Sequence, residues 1–100
     1  MEHHVYFWLK EEFQNEAGHA RMEAALDKLV TSKNVAKAHW GRPAKTDERP
    51  VTDHSWSYGI SFHFDSMEDH IAYQSNDPVH DAFSGPNKEM WEKVLVMDLA

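Results

Sequence analysis

The sequence contains no cysteine among its 100 residues. This absence excludes disulfide bonds, a thiol nucleophile, thiolate zinc sites and iron–sulfur ligation. Basic residues are also scarce, because ten lysines and arginines stand against seventeen aspartates and glutamates and give a formal net charge of −7. Nucleic-acid backbones and anionic membranes attract basic surfaces, so we expect neither of them as a partner.

Long hydrophobic runs are missing as well. No stretch approaches the roughly 18 apolar residues that a membrane-spanning helix needs. The acidic, histidine-rich start MEHHVYFWLK has neither the basic region nor the cleavage site of a signal peptide. We therefore expect a cytoplasmic protein, and the length fits a single domain over residues 1–100 with one hydrophobic core.

Hydrophobic periodicity divides the chain into strands and helices. Alternation with a period of two predicts four strands, at residues 3–10, 34–41, 55–64 and 93–99. Helical spacing predicts an amphipathic helix over residues 15–32. The charged, proline-containing stretch between the second and third strands is expected to be an exposed loop.

A second helical region follows the third strand. Ser66 is expected to cap its start, because a serine oxygen can accept a hydrogen bond from a helix-start amide. The helix should break at Asn76 and Asp77, and Asp77 can cap a second helical piece that has Pro78 in its first turn. Gly85 and Pro86 are expected to interrupt that piece again.

The resulting element order, β-α-β-β-α-β, is typical of the α+β ferredoxin-like fold, a four-stranded antiparallel sheet with both helices on one face. We expect the bare face to carry six apolar side chains of the first and last strands: Val5, Phe7, Leu9, Leu95, Met97 and Leu99. Such a patch is too large to stay in water on a monomer. Two sheets packed face to face would form a dimeric α+β barrel, so we expect a homodimer.

The segment AYQSNDPVHDAF, residues 72–83, holds two groups suited to proton transfer. At neutral pH the imidazole of His80 can take a proton, while the phenol of Tyr73 keeps one that it can donate to a carbonyl oxygen. The pair would suit proton abstraction next to a carbonyl. The alternative is structural, with Tyr73 packed as a half-buried aromatic and His80 bridging the joint between helices.

Four segments together resemble the stress-responsive α/β-barrel (Dabb) family over nearly the whole chain: EHHVYFWLK, NVAKAHWG, SFHFDSMEDHIAYQSNDPVHDAF and MWEKVLVMDL. The most specific feature is a tyrosine followed by Asp-Pro-Val-His and Asp-Ala-Phe, similar to the family's Tyr, Pro-x-His and Phe signature. The resemblance implies a ferredoxin-like homodimer. One branch that the chain resembles, the olivetolic acid cyclases, closes a linear polyketide by an intramolecular aldol condensation without metal or cofactor.

Within that branch the resemblance implies catalytic roles for Tyr73 and His80. It also implies that eight residues line a substrate pocket between helices and sheet: His4, Tyr6, Trp8, Tyr58, Phe83, Trp91, Val96 and Asp98. Tyr6 and Trp8 stand where that branch has aliphatic residues and Tyr58 where it has a histidine, which implies a narrower cavity.

Eight histidines also raise the question of a metal. His63, Asp65, Asp69 and His70 are close in sequence, but their spacing matches no strong metal-binding pattern, so we expect no metal and no cofactor.

Three classes of function stay open. They are a cofactor-independent cyclase or lyase acting on a carbonyl-bearing small molecule, a non-catalytic small-molecule-binding or stress-related dimer, and a cofactor-free monooxygenase of the related dimeric barrel type.

Overall fold

The computed structural model describes residues 1–100 as one four-stranded antiparallel sheet with its helices on one face. The strands are β1 (Glu2–Leu9), β2 (Lys37–Gly41), β3 (Tyr58–His63) and β4 (Trp91–Leu99). The helices are α1 (Glu16–Leu29), α2 (Met67–Ser75) and α3 (Pro78–Asn87), with short 3-10 turns at Glu11–Phe13 and Lys88–Met90. The strand order β2-β3-β1-β4 confirms the predicted ferredoxin-like α+β fold.

Each predicted helix start is confirmed at its cap. Asn15 begins α1 by accepting a hydrogen bond from the backbone N–H of Gly18 at 2.8 Å. Ser66 begins α2 in the same way, with the N–H of Asp69 at 3.1 Å from its Oγ. Side-chain oxygens satisfy amides that a helix start leaves without partners, so these short polar residues fix where the helices begin.

Helix α3 does not break at Gly85 and Pro86, so that prediction is wrong. The helix continues to Asn87, where the side-chain amide donates a hydrogen bond to the carbonyl of Phe83 at 2.9 Å. Nη2 of Arg21 donates to the carbonyl of Pro86 at 2.9 Å. Pro86 removes one helical hydrogen bond, the one to the carbonyl of Ala82, while side chains bond the carbonyls of Phe83 and Pro86 near the helix end.

Strands β2 and β3 are shorter than the alternation predicts, starting at Lys37 and Tyr58. Alternation over the predicted strand would place Trp56 on the helix-covered face with Tyr58, but Trp56 packs against Tyr6 on the other face, with ring centroids 5.2 Å apart. It lies before the first residue of β3, where no strand pairing imposes the alternation of faces.

The register of β1 decides which of its side chains face the helices. β1 pairs with β4 so that Val5 lies opposite Val96 and Phe7 opposite Val94. Opposed residues in an antiparallel pair share a face. The sequence predicts six apolar side chains on the bare face, but three of them are buried under the helices: Val5, Phe7 and Leu9. Both faces of β1 carry large side chains, so alternation alone could not choose between them.

The hydrophobic core is one cluster between the sheet and the helices. Its thirteen buried members are Val5, Phe7, Leu9, Met22, Leu26, Leu29, Tyr58, Ile60, Phe62, Phe64, Tyr73, Phe83 and Met90. The edge strand β4 stays largely uncovered, with Leu95 38%, Met97 49% and Leu99 58% exposed on the face opposite the helices. None of the three helices has the length and apolarity needed to cross a bilayer.

Candidate active site

Tyr73 and His80 meet across the joint between α2 and α3. Their ring centroids are 4.5 Å apart, with the ring planes inclined at 59°. Tyr73 is 2% exposed, and the side chain of His80 is 19% exposed. They lie on either side of the predicted helix break, where α2 ends at Ser75 and α3 begins at Pro78.

Asp77 holds this joint in place from a buried position. One of its oxygens accepts hydrogen bonds from the Ser32 hydroxyl at 2.5 Å and the Asn34 amide at 3.0 Å. Its other oxygen accepts the backbone N–H groups of Val79 and His80 at 2.9 and 3.3 Å. Burial alone would raise the pKa of Asp77, but these hydrogen bonds together lower the pKa below its ordinary value of 3.8. The residue is therefore a charged cap that fixes the backbone at His80.

A cavity of about 130 Å³ opens beside Tyr73 and His80, between α2, α3 and the sheet. Its apolar walls come from the core and from the uncovered edge strand: Val5, Phe7, Leu29, Ile60, Phe83, Trp91, Val94 and Val96. Phe7 and Phe83 both pack against the indole of Trp91, at ring-centroid distances of 4.8 and 5.3 Å. The cavity therefore combines a stiff aromatic wall with few polar groups, which is the usual character of a small-molecule site.

Two buried nitrogen atoms of cavity-lining residues lack partners within the protein. Nδ1 of His80 and Nε1 of Trp91 are buried without a hydrogen bond. The carboxylate of Asp81 lies 3.7 Å from the same nitrogen of His80, beyond hydrogen-bonding distance. Buried polar groups are nearly always bonded. Nitrogen atoms without partners at one cavity can form hydrogen bonds with a bound molecule.

The hydroxyl of Tyr73 is poised to donate rather than to ionise. Burial raises the pKa of Tyr73 above its ordinary value of 10.0, and the negative charge of Asp77 nearby raises the pKa further. The phenol thus keeps its proton throughout the physiological range. A neutral hydroxyl in an apolar site is a suitable hydrogen-bond donor to an oxygen on which negative charge develops.

His3 is a cavity residue that the sequence did not single out. It is 2% exposed, and its ring centroid lies 5.9 Å from that of Tyr73. Its Nδ1 lies 2.5 Å from Oδ1 of Asp98. Burial lowers the pKa of His3 below its ordinary value of 6.5, although the hydrogen bond and charge of Asp98 oppose that shift. The signal that could have identified it is its spacing of two from Val5, which shares its face.

Five residues of the predicted pocket lie around one cavity. Tyr73, His80, Phe83, Trp91 and Val96 all line it. Asp98 joins the same region through its contact with His3. The structure thus brings together the two predicted catalytic residues and four of the eight predicted lining residues.

The other four predicted lining residues do not reach the cavity. Tyr58 lies on the helix-covered face, but its hydroxyl turns to α1, donating to Oε2 of Glu23 at 2.6 Å and lying 2.9 Å from Nδ1 of His19. The expectation that the remaining three line the cavity is wrong, because the register places them on the open face of the sheet: His4, Tyr6 and Trp8. Tyr6 and Trp8 instead line a groove of about 430 Å³ on that face.

A larger groove lies between α1 and α3, with a volume of about 630 Å³. Its polar lining includes Arg21, Lys28 and Thr31. This surface groove has no pair of side chains like Tyr73 and His80, in which one can donate a proton and the other can accept one. Arg21 is already bonded to Glu89 at 2.7 Å. The smaller cavity at Tyr73 and His80 is therefore the better candidate active site, because it holds the groups that chemistry requires.

Comparisons with known proteins place this chain in a family. The sequence profile of the Stress responsive A/B Barrel Domain family, Dabb, matches residues 1–100. A search of curated proteins found no significant match. Similar solved structures include a Dabb family protein of Mesorhizobium loti with a ferredoxin-like fold, which is 24% identical with a TM-score of 0.76, over 99% of this chain and 93% of that one.

Two further solved structures share the fold. A dimeric ferredoxin-like protein of unknown function from Thermobifida fusca is 16% identical with a TM-score of 0.76, over 99% of this chain and 88% of that one. A hydroxynitrile lyase from Passiflora edulis is 18% identical with a TM-score of 0.72, over 96% of this chain and 87% of that one. Likeness at these identities shows the fold alone. Because the family profile spans every residue, the chain belongs to the stress-responsive α/β-barrel (Dabb) family.

Proposed function

We propose that this protein is a cofactor-independent cyclase or lyase that moves a proton on a small carbonyl-bearing molecule bound beside Tyr73 and His80. The observation that carries the proposal is the pair itself. A phenol and an imidazole stand with ring centroids 4.5 Å apart at a cavity, and the buried Nδ1 of the imidazole has no partner within the protein.

The two side chains divide the chemistry between them. His80 is the general base, because an imidazole with an unused nitrogen can take a proton from carbon next to a carbonyl or from a hydroxyl group. Tyr73 donates a hydrogen bond to the oxygen that gains negative charge as that proton leaves. When the new bond has formed or broken, the protonated His80 returns its proton, so no redox group takes part.

The size of the cavity limits the substrate. The cavity measures about 130 Å³. Sites for drug-sized ligands run from about 300 to 1,000 Å³. The site therefore favours a small aldehyde, ketone or hydroxynitrile over a long polyketide, unless β4, which is exposed at Val94 and Val96, moves outward to enlarge it.

The comparisons supply the reaction class as an analogy. The Passiflora edulis protein with this fold is named a hydroxynitrile lyase. Cleaving a hydroxynitrile into a carbonyl compound and cyanide begins with removal of a hydroxyl proton, which is the step assigned here to His80. The resemblance of the sequence to olivetolic acid cyclases belongs to this proposal as well, and it favours carbon–carbon bond formation by the same pair.

The proposal includes a homodimer in the cytoplasm. On the open face of the sheet, Leu95 and Met97 lie beside Tyr6 and His4, to which they are paired in register. A contiguous apolar surface of this kind marks a site of contact with another molecule. Proteins with this fold from three other organisms are described as dimeric, which supports a second copy as that molecule.

Exchange of carbon-bound protons tests the chemistry directly. The protein is incubated in D₂O with a panel of small ketones and aldehydes, and loss of the α-proton signal is followed by NMR; cleavage of small hydroxynitriles is measured in parallel. We expect His80→Gln to slow the active reaction by about 10²- to 10⁴-fold, the usual contribution of a general base. Tyr73→Phe should also slow it, while leaving the fold intact.

A matched control is available in His39→Gln. It removes an exposed histidine on β2, which lies at the opposite edge of the sheet from β4. It should retain full activity. If the small carbonyl compounds bind to the wild type without any exchange or cleavage, the protein is a non-catalytic binding domain. Equal activity of His80→Gln and His39→Gln would overturn the assignment of the base.

A further inference from the structure

Three metal-ligating side chains meet beside the cavity, from three different elements. They are His3 of β1, His70 of α2 and Asp98 of β4. One ligand atom of each lies within 4.8 Å of the ligand atoms of the other two. The two imidazole rings have centroids 5.0 Å apart, and Nδ1 of His3 is 2.5 Å from Oδ1 of Asp98.

We propose that His3, His70 and Asp98 form a binding site for a divalent first-row transition ion, with Zn²⁺ as the simplest case. Two imidazole nitrogens and one carboxylate oxygen are the donor set of many three-ligand zinc sites, and imidazole favours transition ions over Mg²⁺ and Ca²⁺, which prefer oxygen ligands. Three protein ligands leave a coordination position for water or a small ligand.

The second observation is an unsatisfied nitrogen. Nε2 of His70 is buried and has no hydrogen-bond partner in the protein. The ring is held edge-on against Phe64, with centroids 5.2 Å apart and planes inclined at 78°. A buried imidazole nitrogen is normally hydrogen-bonded or bound to a metal, so an unpaired nitrogen on a residue of this cluster points to an ion as its partner.

The ligands can close to metal-binding distance by side-chain rotation. Zinc–nitrogen bonds are about 2.0–2.1 Å long, which sets tetrahedral ligand atoms about 3.3 Å apart. The side chain of Asp98 is 41% exposed on an edge strand, so little packing opposes its rotation. The buried ring of His3 is the fixed ligand, and Asp98 already touches it.

This site does not depend on the proposed reaction, because His80 is not among its ligands. A second group of ligating side chains lies at the surface, where Nδ1 of His63 is 2.7 Å from Oε2 of Glu2 and its Nε2 is 3.5 Å from Oδ1 of Asp65. His63 therefore offers a control for weak binding of metal to exposed histidines.

The test is a titration of the protein, free of any histidine tag and stripped with a chelator, with Co²⁺. We expect saturation at one ion per chain, a visible d–d absorption band that indicates nitrogen and oxygen ligands, and displacement of Co²⁺ by Zn²⁺. His70→Gln and Asp98→Asn should each weaken binding by more than about 100-fold, because loss even of an outer-shell partner costs 10- to 100-fold.

The control variant His63→Gln should bind Co²⁺ as the wild type does. Circular dichroism confirms that each variant is folded, and Asp98→Asn is the safer of the two test variants because its side chain is partly exposed. Absence of saturable binding overturns the site. So does unchanged binding in folded His70→Gln and Asp98→Asn, or an equal loss in His63→Gln.

Discussion

Asp77 accepts a hydrogen bond from the backbone N–H of His80 at 3.3 Å, while Nδ1 of the His80 side chain is left without a partner. The same carboxylate anchors the start of α3 to the loop after α1, through the hydroxyl of Ser32 and the amide of Asn34. The backbone of the candidate base is therefore fixed by a buried cap, and its side chain is left available to the cavity.

The first prediction concerns this cap. Asp77→Ala should lower the free energy of unfolding by about 1–3 kcal/mol, because it leaves the partners of a buried carboxylate unsatisfied and removes a helix cap. Urea denaturation followed by circular dichroism measures the change. Asp81→Ala, at an exposed position of the same helix, should stay within about 0.5 kcal/mol of the wild type. Equal effects of the two substitutions would contradict the role of the cap.

The second prediction is the pH dependence of that contribution. The pKa of Asp77 is lowered in the folded chain from its ordinary value of 3.8, so the unfolded state binds the proton more tightly. The stabilisation is complete well above pH 3.8 and is lost as the pH falls through the folded pKa. The difference in unfolding free energy between wild type and Asp77→Asn should therefore be constant near neutral pH and shrink in acid. A difference that grows in acid would contradict the lowered pKa.

The third prediction separates the two faces of the sheet. Met97 lies on the open face and is 49% exposed, so Met97→Asp should disrupt the proposed dimer and leave a folded monomer. Val5 is 6% exposed in the core, so Val5→Asp should unfold the chain, because a buried charge without a partner is costly. Light scattering gives the mass, with about twice 11.6 kDa expected for the wild type, and circular dichroism gives the folding. A monomeric wild type would contradict the dimer.

The fourth prediction concerns close packing at the start of α1. A Cβ atom added at Gly18 would clash with the backbone carbonyl oxygen of Phe13, a contact that requires the backbone to move. Gly18→Ala should therefore lower the thermal midpoint, despite the better helix propensity of alanine. Gly41→Ala is the matched control, because its Cβ would meet only the His39 side chain at 3.8 Å. Similar midpoints for the two variants would argue against this contact.

Several features of the site were predictable from local chemistry. The cap at Asp77 followed by Pro78 specifies a helix start wherever it occurs, because it involves only neighbouring backbone groups. That start places His80 in the first turn of α3 and Tyr73 in the last turns of α2. The proximity of the two side chains follows from this break and from burial of the aromatic ring.

The pairing of β1 was not predictable in the same way. His3 and His4 are adjacent, and one residue of register decides which of them lies against the cavity. The family resemblance assigned His4, Tyr6 and Trp8 to the site, and they lie on the open face. The continuation of α3 through Pro86 depended in a similar way on a distant partner, since Arg21 of α1 bonds its carbonyl.

By itself the sequence determined the order of strands and helices, the helix starts, the absence of thiol chemistry and the candidate pair Tyr73 and His80. These depend on residue type and on neighbours within one or two turns. Only the tertiary structure decided that His3 meets His70 and Asp98, because those three residues come from separate elements and their meeting requires strand register and helix packing together. Contacts between distant segments reflect the packing of the whole core, which no local pattern specifies.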